Sequence, residues 1–326
     1  MRPRTARFFV LAVLAGLSLA VSRPAAAQGS WDIATHMPTA RCCLVAVTGP
    51  DGLIYAIGGF KWAGSTRVPL NTVEAYDPGS DTWYTVASML TARYSLAATV
   101  GLDGLIYAIG GYNGGPRNAV EAYDPSSDTW TIVASMPTAH HGLATVIGAD
   151  GLIYAIGGDI EGGGASVNTV EAYDPSTNTW TTRTSMPTAR AGLAAVTGLD
   201  STIYAIGGVT QPGMIARATV EAYNPSTSTW TSVASMPTAR WGIAAATGLD
   251  GRIYTIGGHA PSIYALNTVE AYNPDINRWT TVATVPTARF GLASAAGLDG
   301  TIYAIGGGYY DGFNERVLST VEAYTP

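Results

Sequence analysis

Apolar residues fall along this chain in short bursts, each bounded by glycine, proline, aspartate or asparagine. Leu-Ile-Tyr-Ala-Ile-Gly-Gly at 152–158 is one burst, and Thr-Val-Glu-Ala-Tyr at 169–173 is another. A third opens at Trp180, seven residues after Tyr173. A fourth, rich in alanine and aliphatics, follows Thr-Ala-Arg, as in Ser235–Gly248, SMPTARWGIAAATG. Five to eight residues between turn signals predict strands, and no stretch shows a helical period. Asp-Gly at 51–52, 103–104, 150–151, 250–251 and 299–300 predicts a tight hairpin between the first two strands of a unit; Asp200-Ser201 stands there in the fourth unit. Asp/Asn-Pro, as at Asp174-Pro175, predicts the turn between the third and fourth strands.

The whole pattern repeats. Diglycines begin at Gly58, Gly110, Gly157, Gly207, Gly257 and Gly306, with spacings of 52, 47, 50, 50 and 49. Four antiparallel strands every ~50 residues describe a propeller blade. The sixth unit stops at Val321–Tyr324 and Pro326, without its tryptophan strand, while a surplus Trp31 stands near the other end. The expected fold is therefore all-β: a six-bladed propeller over residues 28–326, closed by the N-terminal strand as the fourth strand of the last blade. Closure leaves no free sheet edge.

The first residues do not join this pattern. Arg2, Arg4 and Arg7 precede an apolar run, Phe8–Val21, that is shorter than the ~20 residues a membrane span needs. Ala25-Ala26-Ala27 follows as a small-residue cleavage site, so residues 1–27 read as a signal peptide. An exported protein, periplasmic or secreted, is expected, without membrane insertion after cleavage. Removing that segment leaves 13 basic residues against 23 acidic ones, a net charge of −10. That balance excludes general binding to nucleic acid or anionic membranes. A monomer is expected.

The only cysteines are adjacent, Cys42 and Cys43. Neighbouring Cα atoms lie ~3.8 Å apart, below the ~4.4–6.8 Å usual for a disulfide. On a strand their side chains would also point to opposite faces. Two free thiols are expected, with a strained vicinal disulfide as the alternative.

Diglycine after an aliphatic strand, then tyrosine, then tryptophan at fixed spacing resembles the kelch-repeat β-propeller family over Trp31–Pro326. The resemblance implies a binding module. In kelch domains of ubiquitin-ligase substrate adaptors, arginines in an Arg-x-Gly slot line a pocket for acidic peptides. Arg190, Arg240 and Arg289 match that slot. Arg93, before Tyr94-Ser95, and Arg41, before two cysteines, match it less fully. Copper radical oxidases such as galactose oxidase and a bacterial sialic-acid mutarotase are also similar propellers, which leaves a sugar-modifying enzyme in the central funnel as the alternative.

Repetition sorts frame from function. The glutamates of the Val-Glu-Ala-Tyr slot, the recurring tyrosines and the diglycines occur in every unit, and the tryptophans in every blade once Trp31 closes the last, so they belong to the frame. Strand alternation puts the near-identical one-to-two and three-to-four turns on one face. The variable two-to-three loops share the other face with the entry to the first strand, and scaffolds commonly carry function on such loops. Candidate ligand contacts there are Arg41, Arg93, His140, Arg190, Arg240 and Arg289. The residues following the slot join them, Tyr94, His141, Trp241 and Phe290, together with Trp62 and His259. A protein, peptide or carbohydrate ligand is expected. No catalytic residue, cofactor or metal is expected, since no serine triad or metal-spaced cluster is visible.

Overall fold

The computed structural model describes residues 29–160 and 164–326. The signal peptide read at residues 1–27 lies outside the described residues. Six four-stranded antiparallel sheets stand around an axis. Blade one is Val45–Thr48, Ile54–Ile57, Val73–Asp77 and Thr82–Thr85 from the axis outward. Blades two to five repeat that order. Blade six takes Ala293–Ala296, Ile302–Ile305 and Val321–Thr325, and its outer strand is Ser30–Ala34. Trp31 pairs with Tyr324 in that ladder, so the N-terminal strand closes the ring as expected.

A single blade cannot bury its own faces. The second strand, Ile-Tyr-Ala-Ile in five blades and Ile-Tyr-Thr-Ile in blade five, is buried along its whole length. The core accordingly divides into six apolar clusters, one at each blade–blade interface. Repeat architectures gain stability in this way, by stacking units that cannot stand alone.

Aromatic residues fasten the seams. In each blade the outer-strand tryptophan leans on the third-strand tyrosine, with ring centroids 4.9–5.1 Å apart. Each indole N–H donates to a backbone carbonyl of the preceding blade, for example Trp31 to Ala283 at 2.9 Å and Trp83 to Thr35 at 2.8 Å. The first diglycine residue adopts φ near +60°, and a Cβ on Gly58 would lie 2.7 Å from the carbonyl oxygen of Arg93 in the next blade. Only glycine fits that approach.

The two ends of the ring differ. The turn end carries short, nearly identical connections. In five blades the aspartate of the first turn accepts from the second-strand tyrosine hydroxyl, as Tyr107 to Asp103 and Tyr154 to Asp150. The loop end carries the two-to-three connections. Three of them project as two-stranded hairpins: Phe60–Ala63 with Thr66–Pro69, Val209–Thr210 with Ile215–Ala216, and Gly308–Tyr310 with Glu315–Val317.

Candidate functional site: the loop face around the channel mouth

The repeated arginine is not on the loop face. Arg41, Arg93, Arg190, Arg240 and Arg289 are fully buried. Each runs inward between the second and third strands and meets its own blade's glutamate: Arg41–Glu74 at 3.1 Å, Arg93–Glu121 at 3.3 Å, and Arg190–Glu221 and Arg240–Glu270 at 2.9 Å. Arg289 pairs with Glu322 in the same way. Other guanidinium N–H groups donate to main-chain carbonyls, those of Gly207 and Thr219 in the case of Arg190, while the Nε of Arg41, Arg93 and Arg240 finds no partner among the described residues. Burial pulls Arg41 and Arg190 down to about 10, still far above neutral pH, so both guanidinium groups stay charged. His140 is buried too, and its Nδ1 sits 2.9 Å from the Gly157 carbonyl, where the arginine would be.

These six side chains, expected to touch a ligand, are buried inside the blades. The chain turns the guanidinium into the blade because main-chain carbonyls and a buried carboxylate there satisfy it. An unpaired buried carboxylate would be costly. The pairing that makes the arginine recur also removes it from the surface.

The next residue does reach the face. Cys42, Tyr94, His141, Ala191, Trp241 and Phe290 each bridge to the first residue of the neighbouring loop: Phe60, Tyr112, Asp159, Val209, His259 and Gly308. Tyr94, His141, Trp241 and Phe290 are partly exposed, as are Trp62 and His259. Cys42 and Ala191 are buried.

The rings form two arcs. One runs Trp62, Phe60, Tyr94, Tyr112, His141, with neighbouring centroids 5.2–5.7 Å apart. The other centres on His259, which stacks on Trp241 at 4.3 Å and contacts Phe290 at 5.6 Å and Tyr264 at 5.1 Å; Tyr264 stacks on Tyr310 at 4.6 Å. Sequence reasoning named the loops but missed Tyr112, Tyr264 and Tyr310. Their signal was available, as aromatics in loops of unequal length. Burial lowers the pKa of His141 and of His259, so both are neutral at neutral pH.

Two open clefts flank the projecting hairpin of blade six. One, about 990 Å³, lies against blade one, and its walls include Lys61, Trp62, Arg67, Tyr310 and Phe313. Arg67 spans it, pairing with Glu315 at 2.7 Å while its guanidinium lies 4.9 Å from the Phe60 ring centre and 5.3 Å from that of Trp62. The other, about 920 Å³, lies against blade five beside Ile263, Tyr264 and Leu318. Tyr309 and Tyr310 line both.

The central channel offers less. Its middle, about 170 Å³, is walled by leucine, isoleucine, valine and alanine, with Thr145 and Ser294 as its polar side chains. Among the described residues no three His, Cys, Asp or Glu side chains are placed to hold a metal ion.

The repeat unit of this geometry starts at the buried arginine, and known families divide at the same point. A kelch-motif model matches residues 41–90 and 93–137. A model described as the KLHDC2/KLHL20/DRC7 Kelch-repeats domain matches residues 140–326, more than half of the chain. The chain belongs to the kelch-repeat family. Kelch-like ECH-associated protein 1B of Danio rerio is 38% identical to it over 84 residues, 26% of this chain and 13% of that protein. This kelch chain thus matches only a small part of that relative. The solved structure of YjhT superposes with a TM-score of 0.73 at 17% identity, covering 88% of this chain and 95% of that one. That likeness is one of fold. The kelch propeller is consistent with a binding module. Among the described residues, no helix is long and apolar enough to cross a membrane.

Proposed function

We propose that this protein is an exported kelch propeller that binds a partner protein or peptide across blades five, six and one of its loop face. One observation carries the reading: two clefts of similar size meet at the Tyr309–Tyr310 ridge, and tryptophan, tyrosine, phenylalanine and arginine line them. These are the residue types that anchor protein interfaces. Exposed Phe313, Tyr264 and Ile263 at the loop tips extend the apolar area towards a partner. The buried arginines take no part, so acidic-peptide capture through the Arg-x-Gly slot has no support here. Export rests on the composition of residues 1–27. The sugar-modifying alternative finds no titratable side chain lining the middle of the channel.

The test is a peptide and glycan array probed with the purified protein, repeated with Tyr310→Ala. Peptide hits that Tyr310→Ala weakens at least tenfold support the reading. Glycan hits alone, or peptide hits indifferent to Tyr310→Ala, overturn it. Cell fractionation and N-terminal sequencing test export separately, with Gln28 as the expected first residue.

A further inference from the structure

A closed ring of backbone hydrogen bonds surrounds the channel mouth. In each blade the second residue after the arginine slot donates its N–H to the same residue of the preceding blade. Gly291 donates to Gly242, Gly242 to Gly192, Gly192 to Gly142, Gly142 to Ser95, Ser95 to Cys43 and Cys43 back to Gly291, at 2.7–2.8 Å. All six take φ between +50° and +63°. Four are glycine, which adopts that conformation freely. Cys43 and Ser95 carry a Cβ there, which L side chains rarely allow.

The left-handed turn has a chemical result. The expectation that the two cysteines point to opposite faces assumed a strand. At φ of 55° the Cys43 side chain swings back, and its Sγ lies 3.4 Å from that of Cys42. Both thiols are free. Cys42 is buried beneath the mouth, with its Sγ 3.7 Å from the carbonyl oxygens of Phe290 and Gly291. Cys43 is partly exposed and lines the opening. The hydrogen bond with Cys42 holds the Cys43 thiol below its ordinary pKa against the opposing effects of burial and of Glu315, with a smaller favourable contribution from Arg67. Burial pushes Cys42 well up. The cysteine nearer the opening is therefore the one that ionises more readily, and the less acidic Cys42 lies beside it.

We propose that Cys42 and Cys43 form a reversible dithiol–disulfide site at the channel mouth, one that exchanges with low-molecular-weight disulfides. The Cys43 thiolate attacks an external disulfide, RSSR, forming a Cys43–S–SR bond and releasing RS⁻. Cys42 then passes its proton to the released RS⁻ and attacks the Cys43 sulfur, forming the Cys42–Cys43 bond and releasing a second RS⁻, which takes a proton from water. Two electrons pass from the protein to RSSR, which leaves as two thiols. Adjacent Cα atoms lie below the usual disulfide span, so the product is strained and readily reduced. The site is thus suited to cycling rather than to stapling the fold, which the closed ring already holds.

The native protein is equilibrated in glutathione buffers from fully reduced to fully oxidised, acid-quenched and weighed by intact mass spectrometry. The wild type should lose two hydrogens as the buffer becomes oxidising, and regain them on dilution into reduced glutathione. Cys42→Ser should stop at one glutathione adduct on Cys43. Cys43→Gly, which installs the residue four other blades carry and so preserves the ring, should show neither product. A wild type that stays a dithiol throughout, stops at a mixed disulfide, or links two chains overturns the proposal. So does a disulfide that reduced glutathione cannot reopen.

Discussion

Two positions one residue apart in every blade meet opposite surroundings. The arginine is fully buried against a glutamate, while the residue after it meets the loops around the mouth. The first position is nearly invariant because its partners, the diglycine carbonyl and the Val-Glu-Ala-Tyr carboxylate, are themselves repeated. The second varies because its neighbours are loops of different length. Repetition inside one chain therefore separates the blade's interior from the surface it presents, and charge alone does not. A ring of five cations near a funnel looks like an anion site, yet each is already neutralised within its own blade.

Breaking the interior should give the largest effect. Arg240→Ala leaves Glu270 buried without its cation and should cost about 3–5 kcal/mol of stability. Denaturant unfolding measures this. The double variant Arg240→Met, Glu270→Leu removes both charges and should cost far less. An Arg240→Ala protein of unchanged stability would mean that the arginine does not belong to the frame.

The seam between the ends of the chain comes next. Trp31 stacks on Tyr324 at 5.0 Å and donates to Ala283, but it is only partly buried. Trp31→Ala should therefore cost about 3 kcal/mol, at the low end for a large aromatic. Deleting residues 28–36 should expose the edge of Val321–Thr325 and promote association. A truncated protein that stays monomeric at an unchanged melting temperature contradicts the closure.

Most of the frame was legible because each blade repeats its evidence. The Asp-Gly hairpins, the tryptophan spacing and the surplus Trp31 fixed strand order and closure without coordinates. The direction of the arginine was not legible. Thr-Ala-Arg reads the same whether its side chain faces a funnel or a carbonyl cradle, and only the packing of the second and third strands decides. The aromatic arcs escaped for a related reason. Tyr112, Tyr264 and Tyr310 stand at no common offset, and only the packing of the loop face sets Tyr112 against Tyr94, Tyr264 against His259 and Tyr310 against Tyr264. The cysteine pair escaped because a positive φ on a non-glycine residue leaves little local trace.

The loop face should answer differently from the interior. Trp241→Ala should weaken partner binding by about 2 kcal/mol, because exposed aromatic anchors carry that much, and should change stability less than Arg240→Ala does. Thr177→Ala, on the turn face, should leave binding unchanged and stability within about 0.5 kcal/mol. Calorimetry on any partner found would measure both. A loss at Thr177 without one at Trp241 would place the site on the other end of the propeller.

Blade three sharpens the comparison most finely, because it breaks the interior rule on its own. His140 reaches the Gly157 carbonyl but not the carboxylate; its Nε2 and the Oε2 of Glu171 both lack a partner among the described residues. Burial lowers the pKa of His140 from 6.5, so the folded protein holds it neutral at pH 7 and leaves Glu171 without a cation. The unfolded chain binds that proton more readily. Stability from this group is thus complete above about pH 6.5 and is lost as pH falls through the lower folded value. His140→Arg should supply the guanidinium that the other five blades hold. The gain is about 1 kcal/mol at pH 7, with the rest of the ion-pair energy offset by desolvation. It should also flatten this group's share of the decline between pH 7 and pH 5. Thermal unfolding of wild type and variant across that range gives both numbers. If His140→Arg destabilises at every pH, the cradle of blade three has been rebuilt around the smaller ring and the five-to-one contrast does not extend to it.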